Sequence, residues 1–359
     1  MQYVSECIET GWVSTAGAYV AKFEGALAEA CDARHAVATV NGTAALHVSL
    51  VALGIGREDA VICPALTFVA TANAIRYCGA TPVFADSSPE TLGLCPQKLG
   101  EFLDRDCEVS SGRLLHRQTG LRIAAILPVH LFGHPVELNE TLALAARFGV
   151  PVIEDATESL GSCYRDRPTG ALGDVGVFSF NGNKIITSGG GGAVVTNDDA
   201  LASKIRHLAT TARQDRGWQH DHDMLGFNYR MPNLNAALAL GQLENLAAFT
   251  SAKRQLWQMY SKLFAGIDGM ELFREQSWAK SNYWLNAVLF EDKAARDAFL
   301  DDVNGRGIQV RPCWRLMSDL QIYSDCPVTD DLVNARDTEA RLVNLPSSPG
   351  LLMPKGDVD

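Results

Sequence analysis

One lysine, Lys184, stands between an apolar segment and a run of glycines. Residues 175–180 are apolar and rich in β-forming side chains, and residues 193–196 have the same character after Gly189–Gly192. This pattern predicts two strands joined by a tight connection, with Lys184 at a strand end. An amine walled by apolar side chains loses the hydration that favours its charged form and becomes a nucleophile toward carbonyl carbons. Lys184 is therefore a candidate for forming a Schiff base.

A carboxylate, Asp155, follows a predicted strand at residues 150–153. A strand at 124–129 and a helix at 138–148 precede it, which is the rhythm of a βαβ unit. Ligands of such sheets collect at the carboxyl ends of the strands. A carboxylate there can keep a pyridine nitrogen protonated, as pyridoxal phosphate requires when it acts as an electron sink. A plain capping or loop aspartate is the alternative interpretation.

A third segment, residues 36–46, predicts a short strand that breaks at Asn41-Gly42 and then opens a helix. A helix start that contains Gly and Thr can bind phosphate through free backbone N–H groups and the positive end of the helix dipole. A plain turn with a capping Thr43 is the alternative. In chain order, a phosphate cradle, an aspartate and a strand-end lysine make up the inventory of a pyridoxal phosphate site.

The elements that must position these residues alternate between strand and helix from about residue 36 to about residue 211. A long amphipathic helix is predicted from residue 233 to about residue 266. After it, strands at 284–290 and 308–310 flank a helix at 294–303, and residues 105–120 look like a surface insertion. We therefore predict a large domain over residues 1–240, and a connecting helix with a small C-terminal domain over residues 241–359.

The chain resembles the sugar aminotransferases of the DegT/DnrJ/EryC1/StrS family over nearly its whole length. The resemblance lies in the motifs VNGTAALH, PALTFVATANAI, PVHLFGHP, IEDATESLGS, SFNGNKIITSGGGG and GFNYRMPNLNAAL. It implies the α/β fold of fold-type-I aminotransferases: a large domain with a mixed, mostly parallel seven-stranded sheet flanked by helices, and a smaller C-terminal α+β domain. The form NGNK before the glycines looks most like the branch that aminates UDP-linked 4-keto-6-deoxy N-acetyl sugars toward bacillosamine or legionaminic acid.

The resemblance also implies roles for individual residues. Lys184 would form the covalent link to the cofactor, Asp155 would pair with its pyridine nitrogen, and Phe68 would stack on its ring. Glu158, where most of the family has Gln, would face the phenolic oxygen, so that it holds or shares a proton. The residues expected at the cofactor's phosphate are Gly42, Thr43, Ala44, Ser179 and, from a second subunit, Asn228. A homodimer with shared active sites is therefore expected.

The expected reaction has two halves. L-Glutamate gives up its amino group and leaves pyridoxamine phosphate, and a UDP-linked 4-keto-6-deoxy-2-acetamido sugar then receives that group at C4. Aromatic rings can stack on sugar or uracil faces, and an arginine can grip a diphosphate. The candidates for substrate contacts are Trp12, Ser14, Tyr283, Trp284, Arg311 and Trp314. For Trp284 and Trp314, a place in the core of the small domain is the alternative.

Other functions stay open at this point. The acceptor could be a GDP-linked 4-keto-6-deoxymannose, which gives perosamine, or another keto sugar. The family's sugar dehydratases replace the lysine with histidine, so Lys184 argues against deoxygenation. From a different class, the chain could be a catalytically silent regulatory protein that binds pyridoxal phosphate.

Composition narrows the class of protein. A net charge of −11 over 359 residues argues against nucleic acid as a partner. No uncharged apolar run approaches the ~18 residues that a membrane span needs, so we expect a cytoplasmic protein without a membrane partner. Nine cysteines without a CxxC pair suit free thiols in a reducing compartment.

Three tempting patterns receive structural interpretations. The run His220–Asp223 has metal-ligand residue types but poor chelating spacing, and we predict no metal. His130 and His134 follow a strand and could touch the cofactor or be hydrogen-bonded structural residues. The glycines at 170, 173 and 176 do not have the spacing of a dinucleotide fingerprint and do not precede a helix.

Overall fold

A computed structural model describes residues 1–216 and 218–353. The strands are β1 (His35–Thr39), β2 (Asp59–Pro64), β3 (Thr81–Ala85), β4 (Cys107–Ser110), β5 (Arg113–His116), β6 (Arg122–Ile126), β7 (Ile153–Asp155), β8 (Cys163–Tyr164), β9 (Arg167–Pro168), β10 (Val175–Ser179), β11 (Gly192–Thr196), β12 (Arg213–Arg216), β13 (Gln219–His222), β14 (Met270–Leu272), β15 (Ala279–Lys280), β16 (Asn286–Phe290), β17 (Arg311–Pro312) and β18 (Leu342–Leu345). The helices are α1 (Gln2–Thr10), α2 (Ala18–Ala30), α3 (Gly42–Ala52), α4 (Val69–Tyr77), α5 (Pro96–Asp106), α6 (Leu138–Phe148), α7 (Asp199–Ala209), α8 (Asn233–Leu243), α9 (Leu246–Phe264), α10 (Lys293–Gly305) and α11 (Val333–Arg341). In this described part of the chain, no helix is long and apolar enough to cross a membrane.

The central sheet has the strand order β1-β11-β10-β7-β6-β2-β3. Ladders join β1 to β7 on one side and β6 to β3 on the other, and parallel bridges from Ile126 to Val152 and from Val129 to Asp155 connect the two halves. Only β11 runs antiparallel to its neighbours. This is the mixed, mostly parallel seven-stranded sheet that the family resemblance implied, and the α/β fold class is confirmed.

Strand β2 shows why these segments form buried strands. All of its residues are buried, and successive side chains point to opposite faces of the sheet. Val61 and Cys63 belong to one apolar cluster, whereas Ala60 and Ile62 belong to another. Helices cover both faces of such a parallel sheet, so its strands are apolar without polar alternation.

The carboxyl ends of β1, β7 and β10 lie at one edge of this sheet, because these strands run parallel to each other. Asn41 lies two residues after β1, Asp155 ends β7 and Ser179 ends β10. Residues far apart in sequence therefore meet at this edge.

A second sheet has the order β14-β16-β18-β17 and is antiparallel throughout. The predicted strand at 308–310 is wrong, since the strand is Arg311–Pro312. Asn304 explains the difference, because its side chain bonds both the N–H and the C=O of Val310, so this residue's backbone groups pair with a side chain rather than with a neighbouring strand. The domain boundary at residue 240 stays a prediction.

The long helix predicted over residues 233–266 is two helices, α8 and α9. Asn245 interrupts it with a backbone N–H bond to Gln242 and a side-chain bond of 2.8 Å to the carbonyl of Gly241. Such local side-chain bonds compete with helical continuity. The predicted insertion at 105–120 is also more regular than expected, since it contains the hairpin β4–β5, which pairs antiparallel with the start of β6 at Leu115 and Arg122.

Candidate active site

A cavity of about 210 Å³ lies at the carboxyl edge of the central sheet. A larger groove of about 580 Å³, near the starts of β2 and β6, holds none of the predicted site residues, so volume alone does not locate the site. The predicted residues that line the smaller cavity are Gly42, Thr43, Phe68, Asp155, Glu158, Ser179, Lys184, Trp284 and Trp314.

Lys184 lies in a turn beyond β10, where its N–H donates to the carbonyl of Asn181 over 3.0 Å. Its side chain is only 11% exposed, and Nζ lies 3.5 Å from Glu158 Oε1. The same Nζ lies 3.9 Å from the centroid of the Trp284 ring. The lysine is thus held between a carboxyl group and an aromatic face.

The connection around Lys184 differs from the predicted tight turn, since it spans residues 180–191. Two glycines, Gly191 and Gly192, pack closely against the chain itself. A Cβ on Gly192 would lie 2.4 Å from the carbonyl carbon of Asn41, and one on Gly191 would lie 2.3 Å from Ser188 Oγ. Glycine at 192 therefore lets β11 approach the start of α3.

Asp155 is 2% exposed and has a fixed orientation. Its Oδ2 accepts a hydrogen bond of 2.8 Å from Thr71 Oγ1, and its Oδ1 accepts one of 2.7 Å from Thr157 Oγ1. Thr71 also bonds Thr67 Oγ1 over 2.9 Å. Hydroxyl donors on both oxygens fix the orientation of the carboxyl group and leave further lone pairs for a ligand in the cavity.

The start of α3 forms the opposite part of the cavity. Asn41 is the N-cap, and its Oδ1 accepts the N–H of Ala44 over 2.7 Å. Ala44 was expected at the cofactor's phosphate, but its N–H already donates to Asn41. The N–H groups of Gly42 and Thr43 are the first of the helix, where no preceding turn supplies an acceptor. A Cβ on Gly42 would lie 2.8 Å from the Cβ of Ser179, so only glycine fits there.

Glu158 is 3% exposed, and its Oε2 accepts the N–H of Phe132 over 2.7 Å. Burial raises the pKa of Glu158 to about 7, and Lys184 and the Phe132 N–H offset only part of this effect. A carboxyl group with this pKa holds a proton near neutral pH. Glu158 can therefore gain or lose a proton near neutral pH while it lies beside Lys184.

Aromatic rings line the outer part of the cavity. The ring of Trp314 lies 5.5 Å from that of Phe68 and 6.5 Å from that of Trp284, between centroids. Trp284 donates its indole N–H to the carbonyl of Asn183 over 2.7 Å. Phe68 is 49% exposed, so one face of its ring is free to stack on a ligand.

The other predicted residues lie outside this cavity. Tyr283 is 1% exposed and stacks on Trp257, 5.3 Å away between centroids. Arg311 is exposed and bonds the carbonyl of Val310, and Asn228 is exposed beside Thr210. The carbonyls of Trp12 and Ser14 accept hydrogen bonds from Asn233 at the start of α8. The substrate and phosphate roles of these residues stay predictions.

The two histidines of PVHLFGHP are both buried beneath the site. His130 Nδ1 accepts the N–H of Val136, which leaves Nε2 to donate to Glu154 over 3.0 Å. Burial alone would raise the pKa of Glu154, but His130 and the N–H groups of Gly173 and Gly170 outweigh it and lower that pKa. His134 packs edge-on against Phe273 and Tyr283, and burial lowers its pKa to about 3. His134 is therefore neutral.

The remaining patterns have structural roles in the described residues. Residues 219–222 form β13 of an exposed hairpin, and across 1–216 and 218–353 no three potential ligands converge on a metal position. The glycine at 170 makes room for the Phe178 ring, which a Cβ would approach to 2.5 Å. All nine cysteines are free thiols.

Sequence reasoning missed several residues that shape the cavity. Thr71 and Thr157 orient Asp155, Asn41 caps α3 and Asn183 fixes the Trp284 ring. A short Asp-x-Thr spacing favours a local side-chain bond and could have identified Thr157. Nothing local marks Thr71, which reaches Asp155 from α4.

These residues fit pyridoxal phosphate. The oriented carboxylate of Asp155 suits the ring nitrogen, and the first N–H groups of α3 beside Ser179 suit the phosphate. Lys184, poised between Glu158 and Trp284, suits the covalent link to the cofactor's aldehyde. The space that glycine leaves at position 42 keeps the phosphate end open.

Residues 1–356 match the DegT/DnrJ/EryC1/StrS aminotransferase family. The chain belongs to this family. GDP-perosamine synthase of Caulobacter vibrioides is 38% identical over 360 residues, which cover 99% of this chain and 92% of that protein. GDP-perosamine synthase of Escherichia coli O157:H7 is 35% identical over 354 residues, which cover 98% of this chain and 90% of that protein.

Solved structures of DegT/DnrJ/EryC1/StrS aminotransferases share the fold. The aminotransferase from Brucella abortus superposes with a TM-score of 0.89 at 28% identity, over 97% of this chain and 90% of that one. DesV of S. venezuelae, solved with a ketimine intermediate, has a TM-score of 0.86 at 29% identity, over 98% of this chain and 90% of that one. The protein is therefore a pyridoxal phosphate-dependent sugar aminotransferase of fold type I.

Proposed function

We propose that this enzyme transfers the amino group of L-glutamate to C4 of GDP-linked 4-keto-6-deoxymannose and so forms GDP-perosamine. The choice of this sugar as the acceptor rests on the similarity to two GDP-perosamine synthases over almost the whole chain. A UDP-linked 4-keto-6-deoxy-2-acetamido sugar is the second candidate, which the motif NGNK ahead of the glycines favours.

Lys184 acts on protons at defined atoms in both halves of this reaction. When bound, pyridoxal phosphate supplies a ring that takes up the electron pair left as the donor's Cα loses its proton. We assign that proton to Lys184 Nζ, which receives it from Cα and delivers it to C4′ of the cofactor. In the second half, Lys184 Nζ moves a proton in the opposite sense, from C4′ of the cofactor to sugar C4, while the keto oxygen of the sugar leaves as water and C4 keeps the amine.

Glu158 regulates the proton on Lys184. It lies 3.5 Å from Nζ, and its pKa of about 7 lets it gain or lose a proton near neutral pH. In its protonated form it can also donate to the phenolic oxygen of the cofactor without like-charge repulsion. Asp155, held by Thr71 and Thr157, keeps the ring nitrogen protonated.

The complete site is proposed to need two subunits. Asn228 is exposed and lies outside the cavity of its own chain. In a homodimer with two-fold symmetry, the same surface of each subunit faces the other, so each Asn228 can complete the partner subunit's phosphate site.

The acceptor can be tested with ¹⁵N-labelled glutamate and each keto sugar in separate reactions. We expect mass spectrometry to find ¹⁵N in the GDP-linked product, with kcat/KM for that sugar about tenfold or more above that for the UDP-linked sugar. Transfer to the UDP-linked sugar alone would replace the first candidate with the second. Transfer to neither sugar would contradict both.

A further inference from the structure

A buried lysine outside the cavity, Lys253 of α9, is only 3% exposed. Its Nζ donates to the carbonyl of Trp284 over 3.0 Å and to the carbonyl of Ser347 over 2.5 Å. Burial lowers the pKa of Lys253 to about 8, and no neighbouring charge among the described residues offsets that effect. Burying a charged amine without a carboxylate partner costs free energy of folding. The two carbonyl acceptors of Lys253 therefore point to a specific role for this side chain.

These contacts join segments that are distant in sequence. Lys253 connects α9 to the segment before β16 and to the segment after β18. Ser347 reinforces the junction, because its Oγ accepts the N–H of Asn286 over 2.8 Å. The backbone around Trp284 is therefore fixed from the side away from the cavity.

Trp284 in turn fixes the reactive lysine. Its ring lies 3.9 Å below Lys184 Nζ, and its indole N–H donates to the carbonyl of the preceding residue, Asn183. Its backbone N–H donates to Asn282 Oδ1 over 2.7 Å. The amide nitrogen of Asn282 donates to the carbonyl of Glu158 over 2.9 Å. The backbone position of Trp284 thus affects both the aromatic ring and, through Asn282, the Glu158 segment that lie beside Lys184.

We propose that Lys253 is a positioning residue that holds Trp284 against Lys184. The proposal rests on the proposed function only in taking Lys184 as the residue that binds the cofactor, and it is independent of the sugar acceptor. A ring face within cation–π distance stabilises the protonated form of the lysine nitrogen. Displacing the ring therefore favours the deprotonated form.

Lys253→Met removes the amine and keeps the apolar part of the side chain. In the cofactor-free protein, we expect the amides of Trp284 and Leu285 to exchange with deuterium about tenfold or more faster, since a charge-assisted hydrogen bond is lost. In the holoenzyme, we expect the pH midpoint of the visible band of the lysine-bound cofactor to fall by about half a unit or more. Lys262→Met, an exposed change on the same helix, is the matched control and should alter neither quantity.

A double-mutant cycle with Trp284→Leu, which removes the aromatic ring, separates positioning from a general loss of structure. If Lys253 acts through the indole ring, Lys253→Met shifts the midpoint much less in the Trp284→Leu background. An equal shift in both backgrounds would overturn the proposal, as would folded, cofactor-loaded Lys253→Met with the wild-type midpoint. If Lys253→Met does not accumulate as folded protein, Lys253→Gln is measured in its place and judged by the same outcomes.

Discussion

Glu158, which lies 3.5 Å from Lys184 Nζ, titrates near neutral pH. The folded protein holds the Glu158 proton up to about pH 7, whereas an unperturbed carboxyl group releases it near 4.5. A group whose pKa is raised on folding favours the folded state below its ordinary pKa and loses that contribution as pH rises through the window. The unfolding free energy therefore falls between about pH 4.5 and 7, by up to about 3 kcal/mol from this group.

Glu158→Gln tests this property in the cofactor-free protein. The amide does not titrate, so we expect the variant to lack the Glu158 contribution to the pH dependence and to gain stability relative to wild type as pH rises toward 7. Urea unfolding at several pH values measures the difference. Glu271→Gln, at an exposed position of β14, is the control. Parallel pH profiles of wild type and Glu158→Gln would contradict the raised pKa.

At the residue scale, the sequence identifies the residues that do chemistry better than it identifies the side chains that contact and orient them. Lys184 and Asp155 are recognisable because their residue types follow buried strands, and the cavity contains both. Thr71 and Asn183 were not predicted, because tertiary packing alone brings the first to Asp155 and the second to Trp284. Tyr283 was a substrate candidate by residue type, yet its ring packs in the core. Aromatic residues suit both environments, so residue type does not separate them.

At the scale of elements, the start of α3 depends on glycine at 42. A Cβ there would lie 2.8 Å from Ser179 Cβ and 3.2 Å from Thr157 Cγ2. We expect Gly42→Ala to push these elements apart and to weaken pyridoxal phosphate binding by about tenfold or more, since overpacking typically costs 1–3 kcal/mol. Equilibrium dialysis of the cofactor measures the change.

Gly25→Ala is the matched control for this experiment. Gly25 lies in α2, where a Cβ would meet nothing within 4 Å, and alanine favours a helix over glycine. This variant should bind the cofactor normally. A normal affinity for Gly42→Ala as well would show that the close contact with Ser179 does not constrain the phosphate end.

Apolar patterning predicts the elements of the central sheet well, because strands covered on both faces are continuously apolar. It fails where a single side chain ends an element. Asn245 separates α8 from α9, and Asn304 turns the chain ahead of β17. Both act through bonds to nearby carbonyls, which hydrophobic periodicity does not report.

At the scale of the whole molecule, a shared active site predicts complementation between inactive variants. Lys184→Ala and Asn228→Ala should each be inactive or nearly so. A mixed dimer has one intact site: the Asn228→Ala chain supplies Lys184 to it, and the Lys184→Ala chain supplies Asn228. The second site of the same dimer lacks both residues. Equal mixing with subunit exchange should therefore restore about a quarter of wild-type activity. No recovery, despite exchange shown by native mass spectrometry, would place Asn228 in its own subunit's site or outside any site.

The central claim is that Lys184 links the cofactor covalently and carries the proton in transamination. The most direct test is the visible spectrum of the purified protein during titration with L-glutamate and then with the keto sugar, for wild type and for Lys184→Ala. We expect the wild-type band of the lysine-bound cofactor to fall with glutamate and to return with the sugar, whereas Lys184→Ala folds but neither shows that band nor turns over. A Lys184→Ala protein that still transfers the amino group at the wild-type rate would contradict the account.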